Sequence, residues 1–165
     1  MGDAERVGFV GAGNIAESMI RGIITSGCLD PGQIVVSDVD ERRLLQVHKT
    51  LGATIAWSNA ENAAQARILF LAVKPAQIAA VAAQIRPALR PDQHVVSVAA
   101  GTSLARAREA IGPAPRLCRI MPNLSTSVRK SAIGLCAERV AQRYQKANQH
   151  MFDIKQQEQR RENER

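Results

Sequence analysis

Gly11 and Gly13 directly follow a short apolar stretch, residues 7–10, and Ala16 completes the spacing G-x-G-x-x-A. Glycines at this spacing allow a tight turn and the close approach of a pyrophosphate, and the amides at the start of the following helix attract the anion. The small third residue lets that helix pack closely on the strand. The spacing alone is a weak signal, because many glycine turns have only a structural role. It predicts anion binding by the backbone of Gly11, Ala12, Gly13, Asn14 and Ile15.

An acidic residue is expected roughly 20 residues beyond such glycines, where it contacts the ribose hydroxyls of a dinucleotide. Asp38 occupies that place, after Ser37 at the end of a second apolar stretch. Asp38 favours NAD because a carboxylate repels an added phosphate, whereas a guanidinium of Arg42 or Arg43 can hold the 2'-phosphate of NADP. Both cofactors therefore stay open, and a solvated helix face is an equally good interpretation of the two arginines.

The segments around the glycine turn alternate between helix and strand. Apolar residues at helical spacing predict a helix after the turn, capped by Gly27, and residues 34–36 predict a strand buried on both faces. Asp40 is a candidate helix N-cap, Gly52 ends the second helix, and Ser58 and Asn59 begin another. No candidate catalytic partner for His48 is evident in the sequence, and His48 is left out of the site.

The second half continues the alternation. Strands are predicted at residues 54–57, 68–73, 94–98 and 116–121, and helices at 76–85 and 104–111. Several strands end in small or polar clusters at the edge where doubly wound sheets bind ligands. The fold class predicted is α/β, a doubly wound, Rossmann-like parallel sheet, with a dinucleotide-binding domain at residues 1–136 and a polar C-terminal helix or tail at 137–165.

Composition limits the other classes of function. The chain has 165 residues and a net charge of +7, but its basic residues are scattered and its aromatic residues few, so no specific nucleic-acid partner is predicted. No apolar run is long enough to cross a membrane, and no signal peptide is evident, so a cytoplasmic location is expected. The three cysteines lack the spacing of a zinc site, and no metal is predicted.

Four segments together resemble the N-terminal domain of pyrroline-5-carboxylate reductase over about residues 6–136. They are the sequences VGFVGAGNIAE, FLAVKP, VAAG and RIMPN, which occur at residues 7–17, 70–75, 98–101 and 119–123. Their order and spacing agree with that family, which reduces a cyclic imine in proline biosynthesis with NADPH or NADH. The resemblance therefore implies an oxidoreductase that uses NADP or NAD.

The resemblance also implies a role for each matching position. Residues 11–15 would hold the pyrophosphate, Ser37 and Asp38 the adenosine ribose or its 2'-phosphate, and Asn59 the adenosine side. The remaining positions follow the cofactor towards the substrate: Ala72, Val73, Lys74 and Pro75 at the second ribose, Ala99, Ala100 and Gly101 at the nicotinamide, and Asn123 near the imine. No side chain is assigned as a catalytic residue.

Two departures from the family limit the functional prediction. Residues 124–131 read LSTSVRKS where the family continues with Thr-Pro-Ala, and residues 137–165 do not resemble its helical, dimer-forming domain. We therefore expect a cofactor-binding domain with weak or no activity alone, acting on a small imine if another chain completes it, and an oligomer is compatible with this. A non-catalytic NAD(P)-binding regulatory or interaction module is the alternative, and a reductase of another imine or a β-hydroxy acid is a third.

Overall fold

The computed structural model describes residues 5–121 and 134–137. Its strands are β1 (Val7–Val10), β2 (Ile34–Ser37), β3 (Thr54–Ile55), β4 (Ile68–Leu71), β5 (His94–Ser97), β6 (Arg116–Met121) and β7 (Gly134–Ala137). Its α-helices are α1 (Asn14–Thr25), α2 (Glu41–Leu51), α3 (Asn59–Gln65), α4 (Ile78–Ile85) and α5 (Leu104–Ile111). The alternation of strand and helix expected from the sequence is therefore present.

The strands form one sheet in the order β3-β2-β1-β4-β5-β6-β7. Neighbouring strands from β3 to β6 are parallel, which confirms the predicted doubly wound sheet, and β7 pairs antiparallel with β6. The sequence did not predict β7, because its four residues show no strand pattern of their own. The domain boundary predicted at residue 136 falls inside β7, and the predicted tail and Asn123 lie outside the described residues.

Two apolar clusters cover the two faces of the sheet. Phe9, Ile20 and Leu44 belong to the cluster beneath α1 and α2, whereas Leu71, Ile85 and Ile111 belong to the cluster beneath α4 and α5. The rings of Phe9 and Phe70 stack with centroids 4.8 Å apart. Burial on both faces explains why β1, β2 and β4 read as continuous apolar runs.

Three predicted strands and one predicted helix are shorter than expected. The strand predicted at 68–73 ends at Leu71, the one at 94–98 ends at Ser97, and the one at 54–57 ends at Ile55. The helix predicted from residue 76 begins at Ile78, after a 3-10 turn over Pro75–Gln77. Just past the first two strands, the amides of Ala72 and Val98 still donate to Val10 and Leu71, and the extra apolar residues line a cleft at the carboxyl edge of the sheet.

Candidate functional site

A cleft of about 650 Å³ opens at the carboxyl ends of β1, β2, β4 and β5. It follows from the topology, because helices leave β1 and β4 towards opposite faces of the sheet and leave a crevice between them. Most of the positions predicted from the sequence line it, namely Gly11, Gly13, Asn14, Ile15, Asp38, Asn59, Ala72, Val73, Lys74, Pro75, Ala99 and Ala100.

The two glycines of the turn have different surroundings. Gly11 has φ +101°, and a Cβ built there would lie 2.5 Å from the carbonyl oxygen of Ala72. Its amide donates to the carbonyl of Ser37 at 2.8 Å, so it locks β1 against both neighbouring strands. Gly13 has φ −75°, and a Cβ there would meet only Arg43, 3.6 Å from Nη1. Gly11 is therefore required by the fold, whereas Gly13 keeps space open in the cleft.

Helix α1 starts in the cleft without a side-chain cap, because its N-cap residue is Gly13. By contrast, Asp40 accepts from the amide of Arg42 at α2, and serines cap α3 and α5, whereas α4 has no side-chain cap and continues from the 3-10 turn over Pro75–Gln77. The first amides of a helix have no partner within the helix, and the helix dipole places partial positive charge there. The start of α1 is thus suited to hold an anion.

Asp38 holds the glycine turn to the end of β2. One carboxylate oxygen, Oδ2, accepts from the backbone amide of Ala12 at 2.6 Å, and Oδ1 accepts from the amide of Asp40 at 2.8 Å. Asp38 also lines the cleft. Its carboxylate therefore fixes two backbone segments of the site in addition to facing any ligand.

Polar side chains at α3 border the cleft on the β2 side. Asn59 lines both the cleft and a second cavity of about 580 Å³, whose wall includes the exposed Trp57. Ser37 is 2% exposed and lies behind the cleft, where its hydroxyl donates to Oδ1 of Asn59 at 2.7 Å. The contact between Ser37 and a cofactor stays a prediction, and in the structure its hydroxyl supports the Asn59 side chain.

Small apolar residues form the opposite wall. Ala99 is buried and Ala100 exposed at the end of β5, and Ala72 and Val73 follow β4. The amide of Lys74 donates to Oε1 of Gln77 at 3.1 Å, which holds the Lys-Pro turn above the cleft. This wall offers flat contact area and few charges.

Five predicted positions are not among the lining residues of the cleft: Ser37, described above, Ala12, Arg42 and Gly101, and Asn123, which lies outside the described residues. The backbone of Ala12 is beneath the cleft, and Gly101 borders a separate cavity between the start of α4 and α5. Arg42 is not among the lining residues, whereas Arg43 is, because the two side chains leave different sides of α2. Sequence reasoning named Arg43 only as a companion of Arg42 and missed Val39 and Gln77, which carry no motif.

Among the residues that the structure describes, no group of three or more His, Cys, Asp or Glu side chains is placed to hold a metal ion. A search of the same residues finds no helix that is long and apolar enough to span a membrane.

Comparison with protein families gives one matching model, described as NADP oxidoreductase coenzyme F420-dependent, over residues 6–101. Among curated proteins, the pyrroline-5-carboxylate reductase of Methanosarcina acetivorans is 32% identical over 131 residues, which is 79% of this chain and 48% of that protein. The pyrroline-5-carboxylate reductase of Escherichia coli is 37% identical over 119 residues, 72% of this chain and 44% of that protein. The chain thus spans about half the length of these relatives.

Solved structures show the same fold. A pyrroline-5-carboxylate reductase from Coxiella burnetii superposes with a TM-score of 0.76 at 32% identity, covering 81% of this chain and 50% of that one. The Plasmodium falciparum pyrroline carboxylate reductase, solved with NADP bound, gives a TM-score of 0.73 at 21% identity over 82% of this chain and 49% of that one. The resemblance stated from the sequence is therefore confirmed for the N-terminal half of these proteins.

Proposed function

Because this chain belongs to the family described as NADP oxidoreductase coenzyme F420-dependent, we propose that its cleft binds NADPH or NADH. We propose further that the chain is the cofactor-binding part of a reductase that acts on pyrroline-5-carboxylate. The observation that carries the proposal is the start of α1. It has no side-chain cap, and because Gly13 has no side chain, the start of the helix is open to the cleft.

The residues of the cleft fit a dinucleotide. A Cβ at Gly13 would occupy space over the first turn of α1, where a pyrophosphate would be held by the amides of residues 13–15. Asp38 and Asn59 would then lie on the adenosine side, and Ala99 and Ala100 on the nicotinamide side, in agreement with the roles that the resemblance implies. The family description names NADP, which agrees with the predicted cofactor class.

A bound reduced nicotinamide supplies a hydride for an imine carbon, so the protein's contribution is position, electrostatics and exclusion of water. The glycine turn and the start of α1 fix one end of the cleft, and the buried Ala99 gives a flat ring close contact at the other. Lys74, Pro75 and Ala100 are exposed, so this wall of the cleft faces solvent in the described part of the chain. We expect cofactor binding without efficient turnover by the chain alone, since poor positioning and an open site both raise the barrier.

Oxidation of NADPH by the purified chain, followed at 340 nm with and without pyrroline-5-carboxylate, tests this proposal. The expected result is saturable cofactor binding and a rate close to the background without imine. A rate typical of enzymes, above about 1 per second, would contradict the expectation of weak activity and would support a complete active site.

A non-catalytic NAD(P)-binding module is the second candidate, favoured by the exposure of the nicotinamide-side wall. Supplying the helical half of a full-length reductase in trans separates the two candidates. Imine-dependent NADPH oxidation that appears only with both proteins supports the reductase part, and no stimulation despite measured association of the two supports the module.

A further inference from the structure

The buried side chain of Asn62 starts a chain of hydrogen bonds that ends at the cleft. Asn62 is 0% exposed, and its Nδ2 lies 2.8 Å from the carbonyl oxygen of Phe9 in β1. A carbonyl oxygen can only accept, so the amide of Asn62 must turn its NH2 group towards β1. This contact fixes the orientation of the Asn62 amide without reference to any rotatable hydroxyl.

The second N–H of the same NH2 group determines the direction in which the Ser37 hydroxyl donates its hydrogen bond. Nδ2 of Asn62 donates to Oγ of Ser37 at 3.0 Å, and Oγ in turn lies 2.7 Å from Oδ1 of Asn59. Because the hydroxyl oxygen receives a hydrogen bond from Asn62, its single proton is available for Asn59. If the Asn59 amide were reversed, its NH2 would also point at Oγ, and the buried hydroxyl proton would lose this acceptor, which is costly.

Asn59 is therefore held with its oxygen inward and its NH2 group outward. One outward N–H donates to Oε1 of Gln84 at 2.6 Å, and the NH2 group carries a second hydrogen. Asn59 lines the cleft on the side where Asp38 already accepts a backbone hydrogen bond at each carboxylate oxygen. This part of the site thus presents a fixed donor.

We propose that Asn62 acts through Ser37 as a positioning residue that keeps the Asn59 amide as a donor, and that this donor strengthens the binding of a phosphorylated adenosine ribose, and hence of NADPH relative to NADH, compared with a site in which the amide is reversed. A hydrogen bond from an amide to a phosphate oxygen is charge-assisted and stronger than one to a neutral hydroxyl. The inference rests on the proposed function, because it assumes that the cleft binds the dinucleotide with its adenosine on the Asn59 side.

The environment of the side-chain oxygen of Asn62 is consistent with this orientation of its amide. Among the residues that the structure describes, Oδ1 has no hydrogen-bond partner, and it packs on Gly8, where a Cβ would lie 2.3 Å from it. A buried acceptor without a partner is unfavourable. The orientation is therefore stabilised by the two hydrogen bonds on the NH2 side.

The test is a titration of NADPH and NADH, followed by nicotinamide fluorescence, on the wild-type chain and on Ser37→Ala. Removing the hydroxyl frees Asn59 to turn its oxygen to the cleft. We expect the ratio of the NADH to the NADPH dissociation constant to fall about fivefold or more in Ser37→Ala, the scale of one hydrogen bond to a charged group. Ser37→Thr keeps the hydroxyl and should restore the ratio.

Two controls separate positioning from packing. Ser97→Ala removes another fully buried serine hydroxyl at the same edge of the sheet and should leave the ratio unchanged, whatever its thermal stability. In an Asn59→Ala background, Ser37→Ala should have no further effect on the ratio, because the amide that Ser37 positions is no longer present. If Ser37→Ala does not fold, Ser37→Cys replaces it, since a thiol is similar in size and only a weak donor.

The outcomes distinguish this inference from the proposed function. Binding of neither cofactor by the wild-type chain would refute the proposed function itself. Binding of both with an unchanged ratio in Ser37→Ala would overturn the positioning role of Asn62 and Ser37 and leave the proposed function standing.

Discussion

The amino and carboxyl ends of the parallel strands are finished in different ways. At the amino ends, side chains bond to the loops that enter the sheet, and the buried Gln93 is the centre of that arrangement. Its Nε2 donates to the carbonyls of Ala63 and Ala66 at 2.7 and 2.6 Å, and its Oε1 accepts from the amide of Arg90 at 2.6 Å. Arg67 and Asp92 add an ion pair at 2.5 Å on the surface.

At the carboxyl ends, glycine and alanine form the turn before α1 and the wall opposite it, although Asp40, Ser58 and Ser103 cap the helices that follow β2, β3 and β5. Gly13 gives α1 no side-chain cap, and the short side chains of Ala99 and Ala100 leave space in the cleft. Both ends belong to the same strands, so sheet geometry does not create the difference. We infer that the start of α1 lacks a side-chain cap because a ligand supplies its contacts there, whereas Gln93 satisfies polar groups that no ligand reaches.

Gly11→Ala should have the largest effect on stability. The added Cβ would disturb the close contact of the glycine turn with Ala72 after β4. Its Cβ would fall 2.5 Å from the Ala72 oxygen at φ +101°, so we expect a loss of about 3 kcal/mol or more in the free energy of unfolding. Urea denaturation measures it. Gly13→Ala is the matched control, expected to change stability by less than about 1 kcal/mol because its φ suits an L-residue. Equal losses in the two variants would contradict the separate roles of the glycines.

Gln93→Leu removes hydrogen bonds at the amino ends of the parallel strands and leaves the cleft at their carboxyl ends unchanged. It leaves the carbonyls of Ala63 and Ala66 and the amide of Arg90 without their partner, so unfolding should become easier by about 2–4 kcal/mol. NADPH affinity, measured by titration under conditions where the variant is folded, should stay within about twofold of the wild-type value, since the sites are distant. A larger fall in affinity would show that the two ends are coupled.

Asp38→Ala loosens the glycine turn at the carboxyl end. Because both carboxylate oxygens accept from backbone amides, we expect NADH and NADPH to lose affinity together, by about tenfold. Isothermal titration calorimetry with each cofactor measures the two losses. A gain for NADPH with a loss for NADH would instead show that Asp38 selects the ribose hydroxyls.

Arg43→Ala and Arg42→Ala form a matched pair with the smallest expected effects. The side chain of Arg43 lines the cleft beside Gly13 but is exposed, so its removal should weaken both cofactors by only about threefold. Arg42→Ala should change neither. A loss confined to NADPH in either variant would place that arginine at the 2'-phosphate.

Local patterns predicted the fold and most of the cleft, because these depend on short-range chemistry. The glycine turn, the buried run at residues 68–71 and the caps at Asp40 and Ser58 each follow from a few adjacent residues. The strand ends were harder: Ala72 and Val73 continue an apolar run but turn into the cleft, and periodicity does not distinguish a buried strand from an apolar wall.

Side-chain roles that depend on distant residues could not be read from the sequence. The resemblance predicts that Ser37 contacts the adenosine ribose, whereas its hydroxyl forms hydrogen bonds with Asn59 and Asn62, which are 22 and 25 residues away. The same holds for Gln93, whose partners belong to α3 and the loop after it. Such contacts appear only when the sheet brings the loops together.

The most direct test of the central claim is a titration of the wild-type chain and Gly13→Val with NADPH, paired with thermal unfolding of both proteins. We predict saturable one-site binding by the wild-type chain, at least about a hundredfold weaker binding by Gly13→Val because its side chain fills the space before α1, and melting temperatures within about 5 °C of each other. Equal affinity in the two folded proteins, or no binding by the wild-type chain, would contradict the assignment of this cleft to the dinucleotide.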